Sequence, residues 1–325
     1  MIVCRTPFRI SFAGGGSDLR SYYRHQPGMV LSTSINQYMY ISIHPYFFSD
    51  QTLLKYSKSE LVRSNSEIKH PILREVLSMF DVGGVDISSV ADIPAGTGLG
   101  SSSSFTVGLV HALCAYTGKF ASKEFLAETA SQIEIERLGE PIGKQDQYAA
   151  AYGGLNFVTF RPDESVSVEP VALDGDHIER LQRNLLMFYT GVVRSAGGIL
   201  SEQKSNLETS SEKRKGLEKM VNLATQLRRE LEQHNLDAMG EILHESWQYK
   251  RELASGISNP SIDHYYDVAR DAGAAGGKLL GAGGGGFFLF YVDLERQDRV
   301  RAALSELREF KFRFDHSGST VVYSH

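Results

Sequence analysis

The order of apolar and polar positions divides the chain into a strand-rich first half and a helix-rich second half. Runs of β-branched and aromatic residues predict strands at Phe8–Ala13, Met29–Thr33, Tyr38–Pro45, Val85–Ser89 and Leu155–Thr159. Helical spacing lies between them at Ile72–Met79, Ser104–Thr117, Lys123–Leu138 and Gln145–Tyr152. This interleaving predicts a mixed α+β domain. After the polar stretch Arg161–Ser167 and the run Asn184–Val193 the pattern turns helical. Glu212–Gln233 and Asp237–Leu253 are dense in charge, which reads as solvated helix faces. A helix beyond Pro260, a glycine run at 281–286, a strand from Phe287, a helix near Leu294–Leu307 and strands at Phe310–Phe314 and Ser319–Tyr323 complete a second α+β unit. The expected division is 1–180 and 181–325.

Composition narrows the class. The 325 residues are 42% hydrophobic and 22% charged, which is ordinary for a globular chain long enough for two cores. A net charge of -5 argues against nucleic-acid binding, and the densest basic cluster, Lys213-Arg214-Lys215, sits among glutamates. The two cysteines, Cys4 and Cys114, lie far apart in apolar contexts, so free thiols and a reducing cytoplasmic setting are expected. There is no signal-like apolar run at the N-terminus and no window of membrane-spanning length, so no membrane association is expected.

The chemistry concentrates at Pro94-Ala-Gly96-Thr-Gly98-Leu99-Gly100-Ser101-Ser102-Ser103-Ser104, which runs into a helical segment. Glycines at alternate positions let backbone wrap an anion, and a helix start supplies free N–H groups and a positive dipole end. The stretch reads as a phosphate cradle with serine hydroxyls as further donors. It is not a Walker loop, because Gly277-Lys278 has alanine at 272 and leucine at 279 where Gly and Ser/Thr are required. It is not a dinucleotide fingerprint either, since Gly281-Ala-Gly283-Gly-Gly285-Gly286 precedes its strand.

Other candidates each carry two readings. A strand containing Arg9 ends in Gly14-Gly15-Gly16-Ser17-Asp18. Asp18 either caps the segment after it or accepts hydrogen bonds from vicinal hydroxyls of a polyol. Arg9 is either an exposed strand residue or a clamp paired with a carboxylate. At about 100° per residue Glu136 falls within about 20° of Phe125 and on the side of Ile133, while Glu134 lies nearly opposite Phe125. Glu136 is therefore expected to face inward as a metal ligand, the alternative being an ion pair with an Arg or Lys on a solvated face. Asp146, behind the loop Gly139-Glu-Pro141-Ile-Gly143-Lys144-Gln145, is either a helix cap or a proton acceptor.

Taken in order, these segments resemble the GHMP kinase superfamily. Arg-x-x-x-Arg with the glycine turn and Asp18, then Pro-x-Gly-x-Gly-Leu-Gly-Ser-Ser, then Glu136-Arg137 with Gly-x-Pro-x-Gly-x-x-Asp, then the late glycine loop, cover most of the chain. The resemblance implies a ribosomal-protein-S5-like α+β domain followed by a ferredoxin-like one, with ATP and substrate in the cleft between them. It implies Ser102 and Glu136 as Mg²⁺ ligands, Asp146 as the catalytic aspartate, and Arg9 as the basic partner that stabilises the transferring phosphoryl group. Pro94 to Ser103 would bind the nucleotide. The turn Ala-Gly-Gly-Gly-Ser-Asp-Leu is similar to the branch that phosphorylates D-glycero-D-manno-heptose 7-phosphate at the anomeric hydroxyl, toward a nucleotide-activated heptose. There Gly15, Gly16 and Asp18 would read the sugar, with Lys144, Arg194 and Arg20 available for the 7-phosphate. A fucokinase or another C1 sugar kinase, and a sugar sensor without turnover, are the alternative readings. The helices at 212–253 either cover the cleft or form a homodimer face.

Overall fold

The computed structural model describes residues 1–193 and 197–325. Burial alternates at the start of β1 (Ile2–Ala13), then becomes continuous from Thr6 onward. That change marks where the strand leaves the sheet margin and is covered on both faces. After the short α1 (Arg20–Tyr23), β2 (Gly28–Pro45) runs the length of the first sheet. Two separate strands are expected there, yet the chain stays extended through Asn36 and Gln37. These two residues form an irregularity, since Pro7 faces Tyr38 while Phe8 faces Ile35. Asn36 N donates to Arg313 O at 2.9 Å, and Asn36 Oδ1 accepts from Arg313 N at 2.6 Å, so the bulged backbone is satisfied by a distant segment.

β3 (Thr52–Lys55), β4 (Ser59–Val62), α2 (Pro71–Phe80) and β5 (Val85–Ala91) come next. They lead into α3 (Ser101–Tyr116), α4 (Lys123–Ser131), a π-helical turn at Gln132–Arg137 and α5 (Gln145–Tyr152). β6 (Leu155–Phe160) and β7 (Val166–Pro170) end the first unit. The path β13 (Thr320–Ser324)-β1-β2-β5-β3-β4 forms the spine of this nine-stranded sheet, with β6 on the other half of β2. α3 packs on β1 and β2 with Val107, Val110 and Leu113 buried.

The second unit comprises α6 (Gly175–Arg183), β8 (Leu185–Tyr189), α7 (Gly197–Thr209), α8 (Ser211–Glu232), α9 (Ala238–Arg251), α10 (Pro260–Asp271), β9 (Gly276–Leu279), β10 (Phe287–Tyr291), α11 (Gln297–Ala303) and β11 (Arg308–Glu309). Its sheet is antiparallel in the order β11-β8-β10-β9. The strand expected at Phe310–Phe314 shrinks to β12 (Phe314–Asp315), which pairs with β2. β13 (Thr320–Ser324) pairs with β1. The position 180/181 falls within α6, and the last segment, β12 and β13, returns to the first sheet. The free thiols of Cys4 and Cys114 are buried, and no helix among the described residues is long and apolar enough to cross a membrane.

α8 and α9 join the two cores. Leu223, Ala224, Leu227 and Met239 pack with the first sheet, whereas Leu217, Met220 and Trp247 pack with the second. α9 lies directly on β9 because glycine stands at the crossing on both: a Cβ on Gly276 would lie 1.8 Å from Gly240 O, and one on Gly240 would lie 2.5 Å from Ala275 Cβ. Gly276→Ala is expected to force the helix outward at a cost of about 1–3 kcal/mol or more, as overpacked cores do. Gly175→Ala, with nothing within 4 Å of its added Cβ, serves as the control. Thermal denaturation should show a lowered midpoint for the first variant and an unchanged or slightly raised one for the second.

Candidate active site

Between β5 and α3 the phosphate-type loop takes the left-handed backbone its glycines permit, with φ of +76° at Gly96, +85° at Gly98 and +78° at Gly100. Gly100 caps α3, and the first intrahelical bond is Ser104 N to Gly100 O at 2.9 Å. The amides of Ser101 to Ser103 are therefore free of helical partners. Pro94, Gly96, Gly98, Gly100 and Ser101 to Ser103 line a cleft of about 800 Å³. Leu99 does not; its side chain is buried in the core, and its carbonyl accepts from Arg9 N at 3.1 Å, anchoring the loop to β1.

The second glycine loop, between β9 and β10, lies against the first. A Cβ on Gly281 would come within 2.3 Å of Gly98 Cα, and one on Gly286 within 2.3 Å of Thr97 O. Arg9 meets this seam. It donates to both carboxylate oxygens of Asp146, Nε to Oδ1 at 2.7 Å and Nη2 to Oδ2 at 2.8 Å, and through Nη1 to Gly98 O at 2.7 Å. A bidentate guanidinium of this kind fixes the carboxylate in plane and position. Asp146 lies in the first turn of α5, one residue past Gln145.

Asp18 is buried on its glycine turn. Its Oδ1 accepts from Gly16 N at 2.8 Å and Gln145 Nε2 at 2.9 Å, and its Oδ2 from Gln145 N at 3.2 Å. Burial, then the nearby Asp146 charge, pushes its carboxyl pKa up, against the pull of the Gln145 and Gly16 amides. Gln145 Oε1 and Ser11 Oγ are buried without hydrogen-bond partners, and both lie around Gly15, 3.7 and 3.4 Å from where its Cβ would be. All four residues line the cleft. At the far side the lining includes Tyr56, His70 and Phe105, whose rings contact one another with centroids 4.8 and 5.2 Å apart.

The expected inward position of Glu136 is wrong. Its side chain is 51% exposed and lies 3.7 Å from Arg20. Glu134 is the buried one, 1% exposed, and it accepts from Gln147 Nε2 at 2.7 Å. Phe125, the marker of the expected inner face, is itself 42% exposed, so the phase relation holds but points outward. The buried stripe is Leu126, Ala130 and Ile133, and the same spacing carries on to Glu134. Ile133 and Glu134 lie within the wider turn at 132–137, where Leu138 N bonds five residues back to Ile133 O. Burial pushes the Glu134 carboxyl up to about 7, with Gln147, Ser103 and Ser102 pulling down and the Asp146 charge adding to the rise. No cation pairs with it among the described residues, and Ser103 Oγ is a buried orphan. Glu134, Ser102 and Ser103 thus form a hard oxygen set suited to Mg²⁺.

Lys144 and Arg20 do not reach the cleft. Lys144 Nζ donates to Glu164 at 2.7 Å and lies 5.1 Å over the Tyr23 ring; Arg20 Nε donates to Glu164 at 2.8 Å. Arg194 lies outside the described residues. Gln145, Gln203, Lys250 and Lys278 also line the cleft, although no motif in the sequence singles them out as site residues. Lys250 sits in a helix whose charge density predicts a solvated face, yet it is 8% exposed.

Residues 66–154 match the family profile described as GHMP kinases N terminal domain, and residues 227–309 that of GHMP kinases C terminal. The chain is 29% identical over 327 residues to a D-glycero-alpha-D-manno-heptose 7-phosphate kinase of Campylobacter jejuni, covering 95% of each. It is 30% identical over 244 residues to a mevalonate kinase of Methanothermobacter thermautotrophicus, covering 73% of this chain and 74% of that one. Its fold superimposes with a TM-score of 0.81, at 24% identity and covering 100% of both chains, on a D-glycero-D-manno-heptose 1-phosphate kinase from Bacteroides thetaiotaomicron.

Glu134→Gln is expected to abolish any rise in melting temperature on adding Mg²⁺, while leaving the metal-free protein as stable as before or more so, since a buried carboxylate loses its desolvation cost. Glu136→Gln should retain the full Mg²⁺ response and change stability by less than about 1 kcal/mol, as exposed pairs do. Thermal melts with and without Mg²⁺ separate the two.

Proposed function

The chain belongs to the GHMP kinase family, and on that premise we propose that it transfers the γ-phosphoryl group of ATP to the anomeric hydroxyl of D-glycero-D-manno-heptose 7-phosphate, giving the 1,7-bisphosphate. The observation that carries phosphoryl transfer is the Arg9–Asp146 pair beside the free amides of Ser101 to Ser103. A donor-rich loop, a fixed cation and a proton acceptor are what such a reaction needs. The sugar is supported by the end-to-end similarity to the heptose 7-phosphate kinase of Campylobacter jejuni and by the polar atoms around Gly15.

In this reading the phosphates lie on the 94–103 loop and the base toward Tyr56, His70 and Phe105. Asp18, Gln145 Oε1 and Ser11 Oγ receive sugar hydroxyls, which supply the hydrogen bonds two of these atoms lack. Arg9 holds Asp146 so that one carboxylate oxygen takes the proton of the C1 hydroxyl. The C1 oxygen attacks the γ-phosphorus, the bond to the β–γ bridging oxygen breaks, and ADP leaves. Arg9 meets the charge that develops on the transferring group. Glu134, Ser102 and Ser103 would hold Mg²⁺, which when bound neutralises phosphate charge. Lys144, Arg20 and Arg24 gather on Glu164, with Glu136 beside Arg20, next to the Asp18 turn but outside the cleft, so an acceptor whose distal end runs out past that turn would bring its phosphate to them.

Assays with MgATP and heptose 7-phosphate, unphosphorylated heptose, fucose and galactose test the assignment. Strong preference for the 7-phosphate with product labelled at C1 is expected; turnover of an unphosphorylated sugar alone would retain the kinase and reject this substrate. Asp146→Asn should lower kcat by about 10²–10⁴, the range of a lost general base, with nucleotide affinity nearly unchanged. Full activity in that variant would remove Asp146 from the mechanism.

A further inference from the structure

Lys250 ends a helix whose other charges face solvent, and it runs inward. Its Nζ donates to Leu279 O at 2.9 Å and to Gly281 O at 2.6 Å, which leaves one of three N–H donors without a partner. Gly281 is the residue whose backbone touches Gly98, and Arg9 bonds Gly98 O. The two cations therefore flank the seam between the glycine loops, one reached from β1 and one from α9. Both line the cleft.

The charged surroundings of Lys250 are unusual for a buried lysine. β1 brings Arg9 and β9 brings Lys278, whose Nζ donates to Ser11 O and Phe12 O at 2.8 and 3.0 Å. β10 brings no charge, and the α8 lysines that meet α9, Lys213 and Lys219, bind Glu252 O and the Tyr249 ring on its outer side. Neither Lys250 nor Lys278 has an acidic partner among the described residues. Asp146, the carboxylate that Arg9 meets, is already held by it. Arg9 is neutralised by Asp146, but burial and their mutual proximity disfavour the charged forms of Lys250 and Lys278, and a polyanion is the ligand that would favour them.

We propose that Lys250 grips the terminal phosphate of the nucleotide at the glycine seam, from the second unit, as Arg9 does from the first. The assignment rests on the reading of the cleft as a nucleotide site. Burial, with the Arg9 charge adding to it, lowers the Lys250 pKa to about 7, so above neutrality the empty cleft holds the amine uncharged. An arriving phosphate favours the ammonium form and draws a proton from solvent. Because binding raises a depressed lysine pKa, protons are taken up, most strongly at alkaline pH.

The test is calorimetric titration of the full-length protein with MgATP, without acceptor, in Tris and in HEPES at pH 8, where the nucleotide itself is fully ionised. The difference between buffers should report net uptake of a large fraction of one proton per nucleotide, as expected for an amine whose pKa is lowered to about 7. Lys250→Met should abolish most of that uptake and lower kcat by about 10²–10³, the cost of one lost donor to a developing charge. Lys250→Arg should recover nucleotide affinity without proton uptake, because arginine is already charged. A lysine serving only as a strut for the glycine loop would alter the melting temperature of these variants and leave proton uptake unmoved. Uptake near zero in the wild type, or the same uptake in Lys250→Met, overturns the proposal while leaving the kinase reading intact. Absence of MgATP binding overturns both.

Discussion

The structure depends on two glycine loops meeting with no side chain between them. Gly98 belongs to the first unit and Gly281 to the second; a Cβ on Gly281 would strike Gly98 Cα at 2.3 Å, and one on Gly98 would strike Leu280 O at 2.6 Å. With the loops in direct contact, the backbone donors at the start of α3 and the cations carried by β1 and α9 come within reach of one ligand. Larger residues would separate the walls by about the width of a side chain, and Arg9 could no longer bond Gly98 O and Asp146 together. Glycine is retained here for proximity as much as for its permissive φ.

Charge is distributed around that seam so that each buried group is held by something specific. Arg9 and Asp146 neutralise one another. Asp18 is held by the Gly16 and Gln145 amides, and Lys250 and Lys278 by backbone carbonyls. Glu134 accepts from Gln147, with the Ser102 and Ser103 hydroxyls close by. Amide and carbonyl dipoles hold a charge less completely than a counter-ion does, and burial disfavours the charged form of each of these groups. The cleft without ligands is therefore polarised and incompletely compensated, with cations at the seam and a carboxylate behind the serines. Phosphate oxygens and a divalent cation are complementary to that arrangement.

Much of this is legible in the chain. The alternating glycines at 96, 98 and 100 read as a backbone cradle rather than a flexible turn and do take the left-handed backbone that reading asks for, and the triple-glycine turn does deliver a buried Asp18. Arg9 and Asp146 are legible only through the order of motifs, because nothing local links residues so far apart in sequence. Glu134 escapes for a reason the sequence itself contains: Leu126, Ala130 and Ile133 form the inner stripe, whereas Phe125, the largest apolar residue nearby, lies outside it. The size of one side chain is a poorer guide to the inner face than the phase of several small ones. Lys250 is hidden differently, since a lysine among Glu245, Arg251 and Glu252 carries no local sign that its side chain passes under a strand. The separation of β2 into two strands fails because the partner that satisfies Asn36 comes from Arg313, which no local pattern reveals.

That distant pairing bears on how the seam is kept in register. After the second sheet is complete, the chain runs back along both units: Phe310 N bonds Met187 O at 2.8 Å, Phe314 N bonds Gln182 Oε1 at 2.6 Å, and Gly154 N bonds Asp315 O at 2.7 Å. β13 then adds itself to β1, the strand that carries Arg9. The second unit is thus tied to the first at both of its ends and, through α8 and α9, across the middle. A cleft built from two loops on a single hinge could open by several ångströms without breaking a core. Here the strand bearing Arg9 and the helix bearing Lys250 are each bonded into structure from the other side, so separating the two cations would also break sheet pairing or helix packing. A phosphate site made largely of backbone needs that rigidity, because amides cannot track a moving ligand as long side chains can.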